Sequence, residues 1–180
     1  MRNEKTWEEK IRPTVIQNFT PRLQKDLQEI TWDDLPPLEN YYIQGPVGSG
    51  KTVLAAFLTL EYAKQRYLNA ETGFVYFITV PEFLAEIKKA YGDPERQESD
   101  VVDKYTNAKF LVLDDLGPER STDWAVDQLY LLANRRYEAM RTTIFTSNFT
   151  LPELAERMGD ERIPARIERM CKIITLEARG

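Results

Sequence analysis

From Tyr41 onward the chain alternates between short apolar blocks and longer stretches where apolar residues recur every three or four positions. The blocks are Tyr41–Gln44, Phe74–Ile78, Phe110–Leu113, Thr142–Thr146 and Lys172–Leu176. Apolar residues at consecutive rather than alternate positions predict strands covered on both faces. The stretches between them predict helices over Lys51–Tyr67, Thr79–Ile87, Thr122–Tyr137, Thr150–Met158 and Pro164–Met170. Two of these open on capping boxes, Thr79-Val80-Pro81-Glu82 and Thr150-Leu151-Pro152-Glu153, in which side chain and backbone satisfy each other's orphan groups. Strands alternating with helices predict an α/β fold with a parallel sheet between helical layers. Tyr91–Ser99 reads as a polar loop.

The first thirty residues follow a different pattern. They read as an amphipathic helical extension, with Trp7, Ile11, Val15, Ile16 and Phe19 as candidate buried positions. Pro13 and Pro21 limit the length of any single helix there. Thr31–Asn40, with Asp33-Asp34 and Pro36-Pro37, reads as a linker. We therefore expect an extension over residues 1–30 and a core domain over residues 31–180.

Composition narrows the chemistry. Apolar residues make up 42% of the 180 positions and charged residues 29%, as in ordinary globular proteins. No apolar run approaches the roughly 18 residues that span a bilayer, and no signal-peptide core follows Met1, so no membrane is expected and the cytoplasm is the expected compartment. There is no histidine and one cysteine, Cys171. This excludes His-based triads, His-based metal sites and an internal disulfide framework. The net charge of −5 argues against purely electrostatic binding of nucleic acid by a monomer.

Gly45-Pro46-Val47-Gly48-Ser49-Gly50-Lys51-Thr52 satisfies G-x-x-x-x-G-K-[ST] at every fixed position, between an expected strand and an expected helix. Such a loop aims successive backbone N–H groups at phosphate oxygens. Lys51 then reaches the β- and γ-phosphates, and the Thr52 hydroxyl ligates Mg²⁺. This predicts binding of ATP or ADP with Mg²⁺. Phe110–Leu113 runs into Asp114-Asp115. Beside a phosphate loop, the first carboxylate holds the metal and the second orients or deprotonates the attacking water. Asp115 is one methylene shorter than the Glu found in many such ATPases, which predicts slow hydrolysis. Asn148 ends another strand, where it either positions water or simply makes the turn. The Glu161–Arg169 segment carries Arg162 and Arg166. Its arginines either stabilise charge on a transferring phosphoryl group or form ion pairs on a solvated helix. Lys88, Lys89 and Lys104 could touch nucleic acid, though a solvated surface accounts for them too. Trp124, Tyr130 and Tyr137 lie at helical spacing and read as core. Tyr41 and Tyr42 could sit near a base or simply pack in their strand.

These motifs together resemble the DnaC/IstB group of AAA+ ATPases, which contains bacterial and phage replicative helicase loaders and transposition helper ATPases. The resemblance is carried by Gly45–Thr52, Asp114-Asp115-Leu116-Gly117, Trp124–Tyr137 ending in Asn134-Arg135-Arg136-Tyr137, Ile144–Asn148, and Glu161-Arg162 to Arg166. It runs from about Thr31 to the C-terminus. It implies a three-layer P-loop NTPase with an AAA+ core and five parallel strands in the order 5-1-4-3-2. No helical lid is expected, because the sequence stops shortly after Leu176. It also implies that Asn148 is the sensor 1 residue. Arg166 is then the arginine finger acting on ATP bound to a neighbouring subunit, with Arg162 as the second candidate. Lys88, Lys89 and Lys104 fall where initiator-type members face single-stranded DNA.

The implied role is ATP hydrolysis by a self-associating protein that loads or remodels a replicative helicase on single-stranded DNA. The stretch before the core is shorter than the helicase-binding domain of typical loaders. A transposition helper acting with a transposase on duplex DNA shares the same motifs, and a small-molecule P-loop kinase shares the cradle. A nucleotide switch without turnover is a further alternative.

Overall fold

The structure, a computed structural model, describes residues 2–32, 34–91, 98–117 and 122–178. The apolar blocks become β1 Tyr41–Gln44, β2 Val75–Thr79, β3 Phe110–Asp114, β4 Thr142–Ser147 and β5 Lys172–Thr175. All pairings are parallel, and the order β2-β3-β4-β1-β5 is the expected 5-1-4-3-2 read from the other edge. Helix α4 Lys51–Leu68 follows β1, α5 Val80–Ala90 follows β2, α7 Asp123–Glu138 follows β3, and α8 Leu151–Met158 and α9 Arg162–Met170 follow β4.

Successive strand residues point to opposite faces, and here both faces are covered. Tyr41, Ile43, Phe110, Val112 and Ile144 pack with Leu54 and Leu58 of α4. Tyr42, Leu111, Leu113 and Phe145 pack with Phe83, Leu129, Leu154 and Ile167 from the helices of the other layer. That sandwich explains why β1, β3 and the middle of β4 are apolar on both faces, whereas β5, at the edge of the sheet, is largely exposed against the expectation, with Ile173 50% exposed. Tyr41 and Tyr42 are buried strand residues whose hydroxyls donate to the carbonyls of Pro37 and Phe149, at 2.8 and 2.7 Å. Strand packing therefore accounts for both.

Both capping boxes form. Thr79 accepts from the backbone N–H of Glu82, whose carboxylate accepts from Thr79, and Thr150 and Glu153 repeat the arrangement. One element departs from expectation. Residues expected to belong to a polar loop open a further helix, α6 Glu98–Asn107, with Val101, Val102 and Tyr105 buried against the core. The remainder of that expected loop, residues 92–97, lies outside the described residues, as does Asp33.

The first thirty residues form α1 Glu4–Thr6, a π-helical turn Trp7–Ile11, α2 Arg12–Ile16 and α3 Pro21–Glu29. Trp7 and Phe19 are buried as expected, whereas Ile11, Val15 and Ile16 are only half-buried. A π-turn adds a residue per turn, so apolar positions on either side of it do not share one face. Phe19, Leu23 and Leu27 form a cluster with Val53, Ala56 and Leu60 of α4. Phe19 meets Phe77 of β2 edge-on at 5.2 Å.

At the amino ends of β3 and β4 the fully buried Arg136 guanidinium donates to the carbonyls of Tyr105, Thr106, Ala108 and Thr142 and to the Thr143 hydroxyl. Three of those carbonyls lie at and just beyond the C-terminus of α6, where the helix dipole favours a cation. Burial, with Arg141 adding to it, pulls Arg136 down to about 9, still charged at neutral pH. No helix among the described residues is long and apolar enough to cross a membrane.

Candidate nucleotide-binding site

The loop after β1 depends on glycine at two places. A Cβ on Gly45 would lie 2.2 Å from the carbonyl oxygen of Leu176, so no side chain fits. Gly50 precedes the first turn of α4 with φ 96°, a conformation that side chains disfavour. The Lys51 ammonium donates to the carbonyls of Gly45 and Pro46, both at 2.8 Å. Burial pulls Lys51 below its usual pKa, while Asp114 and then Asp115 pull it back up. Ser49 Oγ is buried with no hydrogen-bond partner among the described residues.

Below the loop the strand ends lock together. Thr52 Oγ1 donates to both carboxylate oxygens of Asp114, at 3.0 and 3.2 Å, and Thr146 Oγ1 donates to Oδ1 at 2.6 Å. The Asp115 N–H donates to Thr146 Oγ1 at 2.9 Å, and Ser147 Oγ donates to the Leu116 carbonyl at 2.7 Å. Thr146 thus joins the two strands at the site. Its part went unseen in the sequence because it depends on the β3–β4 register, which pairs Leu113 with Phe145 and so sets Asp114 beside Thr146. Asp114 is 6% exposed. Desolvation raises its pKa, against the lowering effect of the Thr146 and Thr52 hydrogen bonds.

Asp115 has φ 63°, in the left-handed region that Asp tolerates better than most residues. The side chains of Asp115 and Asn148 end neighbouring strands, are half-buried, and make no hydrogen bond among the described residues. Among those residues no three His, Cys, Asp or Glu gather to hold a metal. Mg²⁺ at a phosphate site needs no such cluster, since one or two protein oxygens serve beside phosphates and water. The hydroxyl–carboxylate pair of Thr52 and Asp114 meets that need.

Among the described residues, two cavities border the loop. One of about 410 Å³ lies between Gly48, Lys51 and Thr52 and the α3 residues Arg22 and Asp26. The other, about 430 Å³, runs from Thr20, Thr52 and Asp114 to Glu86 and Lys89. Nothing in the sequence marked the α3 residues as neighbours of the loop. Lys89 lines the second cavity, Lys88 lies 5.1 Å from the ring centroid of the half-buried Trp124, and Lys104 pairs with Glu86 at 3.2 Å. Arg162 and Arg166 are elsewhere, with Tyr130, Ala165 and Arg169 around a cavity of about 180 Å³. It shares no lining residue with the two at the loop.

Comparison with known proteins identifies the family and the fold. The family model described as "IstB-like ATP binding protein" matches residues 4–177. The replicative helicase loader DnaI of Bacillus subtilis is 32% identical over 114 residues, which cover 63% of this chain and 34% of that protein. The insertion sequence IS232 putative ATP-binding protein of Bacillus thuringiensis is 29% identical over 147 residues, covering 81% of this chain and 55% of that protein. The chain thus spans less than two thirds of either relative. Among solved structures, AMPPCP-bound DnaA from Aquifex aeolicus superposes with a TM-score of 0.66 at 19% identity, covering 90% of this chain and 49% of that chain. At that identity the likeness concerns the fold.

Proposed function

The chain belongs to the family of IstB-like ATP-binding proteins, and on that premise we propose that it binds and hydrolyses ATP with Mg²⁺ to load or remodel a replicative helicase on single-stranded DNA in the cytoplasm. The observation that carries the nucleotide half of this reading is Asp114, a buried carboxylate in no ion pair among the described residues, held by the hydroxyls of Thr52 and Thr146. A buried anion is costly unless a cation meets it. Bound Mg²⁺ would neutralise this carboxylate and the phosphates together.

The chain's own groups supply the rest. Backbone amides at the start of α4 bind phosphate oxygens along the helix dipole. Lys51 exchanges the Gly45 and Pro46 carbonyls for the β- and γ-phosphates. Asp115 orients the attacking water and takes its proton, and Asn148 fixes that water from the next strand. Neither side chain makes a hydrogen bond among the described residues, which supports these roles. Arg166, presented by a second copy of the chain, meets the charge developing on the γ-phosphate, so the protein acts as an oligomer.

The helicase role is supported by the likeness to DnaI. The alignment with the IS232 ATP-binding protein covers more of this chain and supports a second reading, a transposition helper acting on duplex DNA. Calorimetric titration with MgATP tests the nucleotide half. Saturable heat that disappears in Lys51→Ala is expected, and no heat from the parent ends the reading. Recovery of the replicative helicase or of a transposase, with ATP or a non-hydrolysable analogue, decides between the two roles.

A further inference from the structure

We propose that Tyr137 is a positioning residue that holds the Arg166 guanidinium ready for the γ-phosphate bound to a second copy of the chain, while Arg162 serves as an anchor within its own subunit. The inference rests on the shared-site reading above and identifies which arginine crosses the interface and what aims it.

Arg162, Arg166 and Arg169 are four and three residues apart on α9, so they share one helix face. Tyr130 and Tyr137 are seven apart on α7 and share another. The two faces meet: the Arg162 guanidinium carbon lies 5.1 Å from the Tyr130 ring centroid, and that of Arg166 lies 4.4 Å from the Tyr137 centroid.

The N–H groups of the two guanidiniums are engaged differently. Arg162 donates from Nη2 to Asp127 at 2.9 Å, from Nε to Asp160 at 2.9 Å, and from its backbone N–H to Asp160 at 2.7 Å. Its charge is met by two carboxylates of its own subunit. The Arg166 guanidinium makes no hydrogen bond and no ion pair among the described residues. Its only partner there is the Tyr137 ring. A ring covers the face of a guanidinium and leaves the edge N–H donors open. That edge is what a phosphate oxygen pair requires. Arg166 is therefore steadied without being neutralised.

Location supplies the second copy. The cavity beside Arg166 shares no lining residue with the cavities at the phosphate loop of the same chain. On the shared-site reading, the phosphate it meets is therefore that of another subunit. Tyr137, expected in the core but 39% exposed near the end of α7, can reach a neighbouring subunit with its arginine.

ATP turnover by the 180-residue chain, measured at saturating MgATP, tests the proposal. Arg166→Ala should lower kcat by roughly 1,000-fold, and Arg162→Ala by at least ten times less. Tyr137→Leu should lower kcat by about fivefold with KM within about twofold, because a loosened finger acts on the transition state and not on ground-state binding. Tyr137→Phe keeps the ring face and should restore turnover. Mixing Lys51→Ala subunits with Arg166→Ala subunits should regain activity, since each supplies what the other lacks. Melting temperatures check that each variant folds, and Tyr137→Gln replaces the leucine variant if that one does not. A Tyr137→Leu rate equal to the parent, or a Tyr137→Phe rate as low as Tyr137→Leu, overturns the positioning role. Arg162→Ala losses matching Arg166→Ala overturn the anchor assignment. Full activity in Arg166→Ala instead defeats the shared-site reading itself.

Discussion

At the carboxyl ends of the strands, Asp114 is a buried anion whose side-chain donors among the described residues are two threonine hydroxyls. At the amino ends, Arg136 is a buried cation met by four carbonyls and a hydroxyl. Among the described residues neither has an opposite charge bonded to it. Hydroxyls leave much of a carboxylate's lost hydration unreplaced, and desolvation raises the Asp114 pKa. The Arg136 fork instead finds an acceptor for each of its three nitrogens, in places that only a planar guanidinium reaches at once. One buried charge is left wanting a ligand, and the other holds the fold together. Burial disfavours both charges, but every nitrogen of the guanidinium has an acceptor while the carboxylate has only hydroxyl donors among the described residues: open hydrogen-bonding capacity marks the functional end of the sheet, and filled capacity marks the structural end.

The largest effect should come from the structural end. Arg136→Ala leaves four carbonyls and the Thr143 hydroxyl short of a donor, which should cost about 3–5 kcal/mol of stability. Arg136→Lys should recover only part of it, because an ammonium has three donors on one atom. Urea unfolding followed by circular dichroism checks both. A loss under about 1 kcal/mol in the alanine variant would mean that water replaces the guanidinium easily, and the contrast would fail.

That arginine also shows where sequence reasoning stops. The string Asn134-Arg135-Arg136-Tyr137 is visible as a family signature, yet its members go separate ways. Arg135 pairs with Asp103, Arg136 is buried, and Tyr137 lies against Arg166. Helical period separates neighbours in the string, and only tertiary packing tells which way each faces. Features written locally were legible. The phosphate loop fixes where β1 ends, and the two capping boxes fix the starts of α5 and α8. Helix α6 was not legible, because its few apolar residues follow a polar run and gain their meaning from the core they cover. Thr146 needed a strand register, and the neighbourhood of α3 and the phosphate loop needed the whole fold.

Asp114→Asn should sharpen the contrast from the other side. It should weaken Mg²⁺-dependent ATP binding by at least about 100-fold, read by calorimetry. Removing a desolvated charge should also raise stability in metal-free solution by about 1 kcal/mol, as expected where function and stability are traded. A variant both unable to bind and less stable than the parent would show that Asp114 also serves the fold. Thr146→Val is milder. It deletes one hydroxyl shared by the Asp114 carboxylate and the Asp115 N–H, so stability should fall by about 1–2 kcal/mol. Turnover should fall further than ATP affinity, because the loss loosens Asp115 more than the phosphate loop.

The smallest effect carries the sign. In the folded chain Asp114 holds its proton more tightly than in the unfolded chain, since its pKa is raised above 3.8. The folded state therefore binds more protons across the interval from 3.8 up to the raised value, and stability falls as pH rises through it. Above the interval the penalty is present in full, and below it the penalty vanishes. Other carboxylates titrate in the same range, so the parent alone cannot show this. The difference between Asp114→Asn and the parent can. In metal-free buffer the variant's advantage should be constant near neutral pH and shrink as pH falls toward 4, by a total of about 1 kcal/mol. An advantage that grows on acidification would mean that the Thr52 and Thr146 hydrogen bonds outweigh burial. The hydroxyls would then satisfy Asp114 as fully as the carbonyls satisfy Arg136, and the two ends of the sheet would no longer differ in kind.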